Sequence, residues 1–399
     1  MYFTHSRTPS LEGLEENACH ASWAAFCQRA ATTGEIGYDL TGSNPTRVGL
    51  PQVEAEPDAI AHALNAAYTA SPQGIQETRR AIADIYQNQT TPERIQLFAS
   101  TSEAVGALVK LFCAPGDEII TCSPTYPLLD CLCSLECVTL REIPLQDCAG
   151  EWAIDFWALE QACTPQTRAI IVVSPNNPTG HCIRCDELKC LIEFCAKRHI
   201  VLVIDEVFAS YRLNDNPELV SEPAAAMADR GIVISLSGLS KVCGQPQHKL
   251  GWAVFGGDPE LVSEAMSRLT YITDSTLSVS GWVQRMAPQF LAKRHDFRAP
   301  CLARMRQNYA YLQACAQRPD VQWRLDPIDG GWSACIRLPG WADDDQIAQK
   351  LAQNGVRVFP GLFFGYRANH PTLVVSLITP PESFAAGIER MTTLLTQML

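Results

Sequence analysis

The segment SGLSKVCGQPQHKLGW, residues 237–252, places Lys241 among small residues and a second cation, Lys249, eight positions later. A lysine buried in such a turn has a lowered pKa and becomes a nucleophile that captures carbonyl groups. Lys241 is therefore a candidate Schiff-base lysine. The competing interpretation is a solvated surface lysine, which is what most lysines are. The rest of the chain has to decide between them.

Other polar residues follow short apolar runs. Asp205 ends IVLVID, SPNNPTG follows RAIIVV, and Ser100, Thr101 and Ser102 follow RIQLFA at the start of a predicted helix. Free N–H groups and the helix dipole make a helix N-terminus an anion site, and small hydroxylated residues let a phosphate approach it. A simple N-cap formed by Ser100 or Thr101 is the alternative at this position.

The alternation of strand-like and helix-like segments along the chain predicts the fold that positions these residues. Apolar runs such as DEIITC, RAIIVVS, IVLVIDE and GIVISLS alternate with helical patterns such as SEAVGALVKLF, IDFWALEQAC and DELKCLIEFCAKR. This alternation predicts an α/β fold in which helices cover both faces of a mostly parallel sheet. Ligands of such sheets bind beyond the carboxyl ends of the strands, where the residues named above are expected to lie.

Composition limits the class of protein. The chain has 399 residues, 47% of them hydrophobic, and a net charge of −12. This composition predicts a globular protein and argues against nucleic acid or an anionic membrane surface as a partner. The segment MYFTHSRTPSLEGLEENACH lacks a basic region followed by an apolar core, and no apolar run approaches the roughly 18 residues of a membrane span. We therefore expect a cytoplasmic protein.

The chain contains 17 cysteines. In HCIRCDELKC, the residues His181, Cys182, Cys185 and Cys190 resemble half of a zinc site. A second half is missing from the sequence, and the apolar spacing of ELKCLIEFCAKRH is that of an amphipathic helix. We therefore interpret these cysteines as small structural residues and expect no metal.

The candidate residues above, together with the aromatic ring of Tyr126, match the parts of pyridoxal phosphate. Its phosphate needs helix-terminal amides and a cation, its aldehyde a lysine, its pyridine nitrogen a carboxylate, and its flat ring an aromatic platform. With these residues in this order, the chain from about Leu40 to the C-terminus resembles the class I/II aminotransferases of fold type I. The resemblance implies a large domain, 46–295, with a seven-stranded sheet, and a small α+β domain, 296–399, which the N-terminal segment 1–45 joins.

The resemblance also assigns roles around the cofactor ring. SPNNPTG is similar to the family's Asn-Pro-x-Asn-Pro-Thr-Gly turn, with Asn176 in place of one proline, and it implies that Asn177 binds the ring oxygen. VIDEVFASY is similar to the Asp-Glu-x-Tyr signature and assigns Asp205 to the ring nitrogen. PTYPLL offers Tyr126 as the stacking ring, and SGLSK offers Lys241 as the Schiff-base lysine.

The same resemblance implies a set of phosphate contacts. Tyr68, in YTASPQG, is implied to reach the phosphate of the neighbouring subunit, so the resemblance implies a homodimer with shared active sites. Within one subunit the implied contacts are Ser100, Thr101, Ser102, Ser237, Ser240 and Lys249.

Three positions depart from the family's pattern. Phe208 replaces a tyrosine that donates to the ring oxygen, unless Tyr211 supplies that hydrogen bond. Lys249 replaces an arginine, which keeps the charge and loses the bidentate geometry. Val374, in TLVVSLITPPE, stands about where the family has the arginine that grips the substrate's α-carboxylate.

A valine cannot bind a carboxylate, so the substrate contacts must differ from those of the family. Arg357 and Arg367 are candidates to bind the carboxylate from another direction, and Asn44 is a further candidate contact. An ordinary surface position is the alternative for each arginine.

Three functions remain open on the sequence. The complete cofactor set favours an aminotransferase that moves an amino group between an amino acid or amine and a carbonyl acceptor. The same electron sink serves a lyase, a replacement enzyme or a cyclase of a specialised amino-acid pathway, and Phe208 and Val374 raise the weight of that alternative. A ligand-sensing regulator is disfavoured because the N-terminal region is not basic.

Overall fold

The computed structural model describes residues 36–148, 151–220, 222–277, 279–367 and 369–399. Helices and strands are numbered here in chain order. Of the predicted N-terminal segment 1–45, only the part from residue 36 onward can therefore be compared with the structure, and the remainder lies outside the described residues.

A central sheet of eight strands has the order β2-β9-β8-β7-β6-β3-β4-β5. Pairing is parallel from β8 through β7, β6 and β3 to β4, while β9 is antiparallel to both its neighbours and β5 is antiparallel to β4. The strands are β2 Ile95–Phe98, β3 Glu118–Ser123, β4 Thr139–Cys148, β5 Glu151–Ile154, β6 Thr167–Val173, β7 Val201–Asp205, β8 Ile232–Gly238 and β9 Gly251–Gly257.

The predicted mostly parallel sheet of seven strands is present as β2, β9, β8, β7, β6, β3 and β4. The eighth strand, β5, pairs with β4 as a hairpin. Only Trp152 and Ile154 of its four residues are buried, which is too short an alternation to predict a strand from sequence.

Helices cover both faces of this sheet, as the continuous apolar runs predict. In β7, Val201 and Val203 pack into one apolar cluster, whereas Leu202 and Ile204 pack into the other. The helices are α1 Pro57–Asn65, α2 Gln76–Ile85, α3 Thr101–Phe112, α4 Leu128–Leu135, α5 Phe156–Ala162, α6 Cys185–Arg198, α7 Leu239–Val242, α8 Pro259–Thr276, α9 Gly281–Ala292, α10 Arg294–Ala316, α11 Asp344–Gln353 and α12 Pro381–Met398.

The C-terminal part forms a smaller α+β unit. Its antiparallel sheet has the order β10-β11-β14-β13, and β1 of the N-terminal segment pairs in parallel with β12. The remaining strands are β1 Tyr38–Asp39, β10 Arg324–Leu325, β11 Ser333–Arg337, β12 Val356–Arg357, β13 Phe359–Pro360 and β14 Thr372–Ser376.

The candidate residues of the large sheet lie where its strands end. Asp205 is the last residue of β7, and Lys241 lies in α7, directly after β8. The loop with Asn177 follows β6, and Ser100 stands between β2 and α3. Because these strands point the same way, their ends meet at one edge of the sheet.

Candidate active site

Lys241 and Asp205 lie at the ends of adjacent strands. β7 and β8 pair in parallel, with Asp205 opposite Leu236, and the chain turns after Gly238 into the four-residue helix α7. The two side chains are close enough that the charge of each acts on the pKa of the other. The structure therefore brings an amine and a carboxylate together at the edge where ligands bind.

Two aromatic rings lie close to the amine of Lys241. Its Nζ atom lies 4.8 Å from the ring centroid of Trp332 and 5.5 Å from that of Phe208. Burial lowers the pKa of Lys241 to about 8, although Asp205 and Cys301 oppose this shift, because a desolvated ammonium group is disfavoured. The neutral, nucleophilic form is therefore far more populated at neutral pH than in an ordinary lysine.

Asp205 carries a carboxyl group that burial makes harder to ionise. Burial raises the pKa of Asp205 to about 6, while a hydrogen bond from the N–H of Val207 and the charge of Lys241 act in the opposite direction. The N–H of Val207 lies 3.1 Å from Oδ1. A further cation placed against this carboxyl group would stabilise its ionised form.

The loop after β6 presents Asn177. Asn176 builds the turn, since its Oδ1 accepts hydrogen bonds from the N–H and the hydroxyl of Thr179 at 3.2 and 2.9 Å. Ser333 of β11 donates its hydroxyl to Oδ1 of Asn177 at 3.2 Å. Within the described residues, Nδ2 of Asn177 donates to no protein group, so this N–H₂ group is available to a ligand.

The beginning of α3 combines a cap with free amides. Oγ of Ser100 accepts a hydrogen bond from the N–H of Glu103 at 3.1 Å, so the N-cap interpretation holds for Ser100. The N–H groups of Thr101 and Ser102 have no protein acceptor within the described ranges. Gly251 allows a close backbone approach here, because a Cβ atom added to it would lie 2.9 Å from atoms of Ser100 and Thr101.

The other predicted phosphate contacts lie near α7. Lys249 is exposed, has a left-handed backbone with φ 52°, and forms no ion pair with any described residue. Ser240 is half-buried and directly precedes Lys241. Ser237 is buried in β8, and its Oγ atom has no hydrogen-bond partner among the described residues.

Two tyrosines were assigned to the cofactor by resemblance. Tyr126 is half-buried before α4, next to Thr125, whose N–H donates to the carbonyl of Phe364 at 3.0 Å. Tyr68 follows α1 and is 75% exposed. A single subunit thus leaves the ring of Tyr68 in solvent.

Tyr211 does not take over the role of the tyrosine that Phe208 replaces. Its hydroxyl donates to the backbone carbonyl of Lys241 at 2.5 Å, so this donor is already used. Phe208 is 8% exposed and packs edge-on against Trp332, with ring centroids 5.4 Å apart. Neither residue brings a free hydroxyl to the site.

Val374 lies in β14 and is 1% exposed. It pairs with Cys335 on one side and Phe359 on the other, so the three side chains share one face of the small sheet. Sγ of Cys335 lies 3.3 Å from the carbonyl oxygen of Pro178, which shows that this face is directed at the Asn177 loop. This row of three residues therefore offers that loop no cation.

The other predicted substrate contacts lie apart from this row. Arg357 forms an ion pair with Asp39 at 3.2 Å, so its charge is already matched. Arg367 is exposed. Oδ1 of Asn44 accepts hydrogen bonds from the N–H and hydroxyl of Thr46 at 3.0 and 2.8 Å, which is an ordinary turn.

Sequence reasoning missed two residues of the site, Trp332 and Ser333. Trp332 directly precedes β11 and contacts Lys241, and Ser333 is the first residue of β11 and contacts Asn177. It also missed the buried Arg337 of the same strand, which binds Asp326 at 2.6 Å and Asp147 at 2.8 Å. No local pattern marks these positions, because their partners are distant in the chain.

The residues present fit pyridoxal phosphate. Lys241 offers a neutral amine for the aldehyde, and Asp205 offers a carboxyl group that a ring cation would ionise. Among the described residues, the N–H groups of Thr101 and Ser102 at the start of α3, beside Gly251, have no acceptor, and the N–H₂ group of Asn177 has none either. The aldehyde, the ring nitrogen, the phosphate and the ring oxygen of the cofactor would thus each meet a group of matching chemistry.

Within the described residues no group of three or more His, Cys, Asp or Glu side chains could hold a metal ion. None of the helices in those ranges is long and apolar enough to cross a membrane.

Comparison with known proteins gives concordant matches. The family model of aminotransferase class I and II matches residues 40–382. S-alkyl-thiohydroximate lyase SUR1 of Arabidopsis thaliana is 31% identical over 228 residues, which are 55% of this chain but only 48% of the lyase. An alanine aminotransferase of Mycobacterium bovis is 27% identical over 388 residues, covering 91% of this chain and 86% of that protein.

Solved structures show the same fold. The alanine aminotransferase of Pyrococcus furiosus superposes with a TM-score of 0.84 at 19% identity, covering 98% of this chain and 100% of that chain. The family match extends over most of the sequence, from before β2 into α12. The chain therefore belongs to the aminotransferase class I and II family of pyridoxal phosphate-dependent enzymes and has their fold type I architecture.

Proposed function

We propose that this protein is a pyridoxal phosphate-dependent aminotransferase that moves an amino group between an amino acid or amine and a carbonyl acceptor through a Schiff base on Lys241. One observation carries the proposal. The amine of Lys241, with a pKa lowered to about 8, lies beside Asp205 within an aromatic enclosure. A solvated surface lysine has neither feature.

Around the cofactor ring, Asp205 would bind the protonated nitrogen and Asn177 would donate a hydrogen bond to the ring oxygen. Tyr126 would stack on one face of the ring. The N–H groups of Thr101 and Ser102 and the cation of Lys249, which forms no ion pair within the part of the chain that is described, support a phosphate site between them. The full set of proposed phosphate contacts within one subunit is Ser100, Thr101, Ser102, Ser237, Ser240 and Lys249.

Bound pyridoxal phosphate supplies an electron sink for the carbon that carries the substrate's amino group. Lys241 would serve as the base: its neutral Nζ atom would accept the proton of this carbon and give it up again within the same site. Asp205 assists because its negative charge keeps the ring nitrogen protonated. Phe208 and Trp332, whose ring centroids lie 5.5 and 4.8 Å from Nζ, would help to shield this atom from water.

We propose that the substrate is held mainly through groups other than a gripped α-carboxylate. The row of Cys335, Val374 and Phe359 is directed at the Asn177 loop and carries no charge. Arg357 is neutralised by Asp39. Arg367, which is exposed, and Asn44 remain the weaker candidates for a carboxylate contact.

We also propose the domain division 46–295 and 296–399, with 1–45 joining the small domain, and a homodimer in which Tyr68 reaches the partner's phosphate. The pairing of β1 with β12 supports the joining of the N-terminal segment to the small domain, and the 75% exposure of Tyr68 supports its role across a dimer interface.

We further propose a cytoplasmic location. It is supported by the cysteines, because all those described are free thiols.

A lyase, replacement or cyclase activity is the second candidate. It is favoured by the position of Val374 and by the 31% identity with a lyase over part of the chain. The two candidates differ in the fate of the amino group, because an aminotransferase leaves it on the cofactor after half a reaction. The other reactions return the cofactor as the aldehyde.

The test is a single turnover of the holoenzyme with a panel of amino acids and amines, followed by chromatography of the released cofactor. We expect one equivalent of the amino form of the cofactor for each equivalent of carbonyl product. Carbonyl product with fully retained aldehyde form would select the second candidate, and cofactor that is never bound would refute both.

A further inference from the structure

Asn177 depends on Ser333 for its orientation. An amide group has one acceptor and one donor end. The hydroxyl of Ser333 donates to Oδ1 at 3.2 Å, so Nδ2 is directed away from Ser333. The reversed amide would present an acceptor to the cofactor's ring oxygen, which is itself an acceptor, and would therefore be repelled.

The orientation of the Asn177 amide matters more here than in a site where a second residue also donates to the ring oxygen. Phe208 has no hydroxyl, and the hydroxyl of Tyr211 donates to the carbonyl of Lys241 at 2.5 Å. Among the residues assigned to the ring oxygen, Asn177 is thus the one that can still donate. A misoriented amide would leave that oxygen without its hydrogen bond.

Ser333 is well placed to hold the amide still. It lies in β11 opposite Ser376 of β14, and the carbonyl of the preceding Trp332 accepts from the N–H of Leu377 at 2.7 Å. The serine is therefore part of a paired strand, whereas Asn177 lies in a loop. The thiol of Cys335, two residues along the same strand, contacts the carbonyl of Pro178, so two neighbouring side chains of β11 hold this loop.

We propose that Ser333 is a positioning residue that aims Nδ2 of Asn177 at the cofactor's ring oxygen. The inference rests on the proposed function, since it presumes cofactor bound at Lys241. The observable is the pH at which the absorbance of the lysine-bound cofactor changes. This change reports the loss of the proton that the nitrogen of the lysine–cofactor bond shares with the ring oxygen. A hydrogen bond to the charged oxygen favours its ionised form and lowers this pH.

The experiment titrates the holoenzyme spectroscopically. Ser333→Ala should raise the midpoint by about half a unit to one unit, which corresponds to the partial loss of one hydrogen bond. Ser333→Thr keeps the hydroxyl and should restore the original midpoint. Ser333→Cys, whose thiol is a weak donor, should lie between them and serves if the alanine variant does not fold.

Three comparisons separate positioning from a general disturbance. Asn177→Ala should raise the midpoint at least as much, and adding Ser333→Ala to it should change nothing further, because both act through one amide. Ser376→Ala removes a hydroxyl from the paired strand, where it donates to Gly42 at 2.7 Å, and should leave the midpoint unchanged. Asp205 and Cys301, the titratable groups that act on Lys241, are retained throughout.

An unchanged midpoint in Ser333→Ala, or additive shifts in the double variant, would overturn the proposal while the wild type still titrates normally. A wild type that shows no absorbance of lysine-bound cofactor at any pH would instead refute the proposed function.

Discussion

At the scale of single residues, desolvation sets the proton affinities in the site. Burial lowers the pKa of Lys241 to about 8 and raises that of Asp205 to about 6. Each shift favours the neutral form, and each residue opposes the shift of the other. A cofactor that places a ring cation against Asp205 would therefore favour the ionised carboxylate, and its aldehyde would meet the neutral amine of Lys241.

The first prediction concerns the cofactor-free protein. Modification of Lys241 by an amine reagent should reach half its maximal rate near pH 8, because only the neutral amine reacts and burial disfavours the ammonium form. Asp205→Asn should move the midpoint to lower pH, since the negative charge of Asp205 raises the pKa of Lys241. Peptide mass spectrometry measures both rates.

The denatured protein is the control, and there the midpoint should return to the ordinary lysine value of about 10.4. The same high midpoint in the folded protein would contradict the burial of this amine.

The second prediction concerns the charge of Asp205 in the holoenzyme. Asp205→Asn keeps the shape and removes the charge that holds the ring proton, at a cost of about 3 kcal/mol, so turnover should fall roughly a hundredfold or more. The adjacent Glu206 is the matched control. Burial raises the pKa of its carboxyl group to about 8, so Glu206→Gln replaces a group that is already neutral at pH 7.

Steady-state kinetics of the two variants decide this prediction. Equal losses of turnover in both would mean that Asp205 serves structure alone.

At the scale of secondary structure elements, the close approach of β9 to α3 shapes the predicted phosphate site. Gly251 of β9 leaves no room for a side chain, since an added Cβ atom would lie 2.9 Å from the backbone of Ser100 and Thr101. Backbone atoms at that distance cannot rotate away as a flexible side chain would. The first turn of α3 is therefore held by direct contact with the strand.

The third prediction is that Gly251→Ala displaces this turn. We expect a loss of about 1–3 kcal/mol in the free energy of unfolding, typical of overpacking, together with weaker binding of pyridoxal phosphate. Gly106→Ala, in the same helix, is the matched control because no atom lies within 4 Å of its added Cβ. It should be neutral or stabilising by up to about 1 kcal/mol.

Denaturant unfolding and cofactor titration measure the two effects. Wild-type cofactor affinity in Gly251→Ala would show that this turn does not hold the phosphate.

The sequence predicts the strand ends well because the information there is local. Apolar runs locate β6, β7 and β8, and the polar residue that follows each run is then a candidate for the site. Trp332 and Ser333 could not be found in this way. Their partners Lys241 and Asn177 are far away in the chain, and nothing near GGWSA marks a contact with either. The hydrogen bond from Tyr211 to the backbone carbonyl of Lys241 likewise cannot be read from the sequence.

At the scale of the whole molecule, the C-terminal sheet supplies part of the site. Backbone hydrogen bonds join Thr125 to Phe364, and the hydroxyl of Ser123 donates to the carbonyl of Gly365 at 3.2 Å. Arg337 also reaches Asp147 of β4 at 2.8 Å. Sγ of Cys335, in the row that contains Val374, lies 3.3 Å from the carbonyl oxygen of Pro178 in the Asn177 loop, and we propose that the lack of charge in this row bears on substrate choice.

The fourth prediction follows from that row. Small amino acids such as alanine and aspartate should be poor donors, because a desolvated carboxylate without a cation is unfavourable by several kcal/mol, and each 1.4 kcal/mol or so costs tenfold in affinity. Each amino acid is compared with its decarboxylated amine in the wild type, Arg357→Ala and Arg367→Ala.

Selective loss of the carboxylate-bearing substrate in one variant would identify that arginine as a substitute clamp. Efficient turnover of ordinary amino acids that neither substitution affects would refute this interpretation of Val374.

The measurement that tests the account most directly is borohydride reduction of the holoenzyme followed by peptide mapping. Reduction makes the bond between the cofactor and its lysine permanent, so the modified residue reports where the aldehyde is bound. We predict that Lys241 carries the cofactor and that Lys241→Ala binds it without a covalent link and does not turn over. A label on Lys249, or on any lysine other than Lys241, would contradict the central claim.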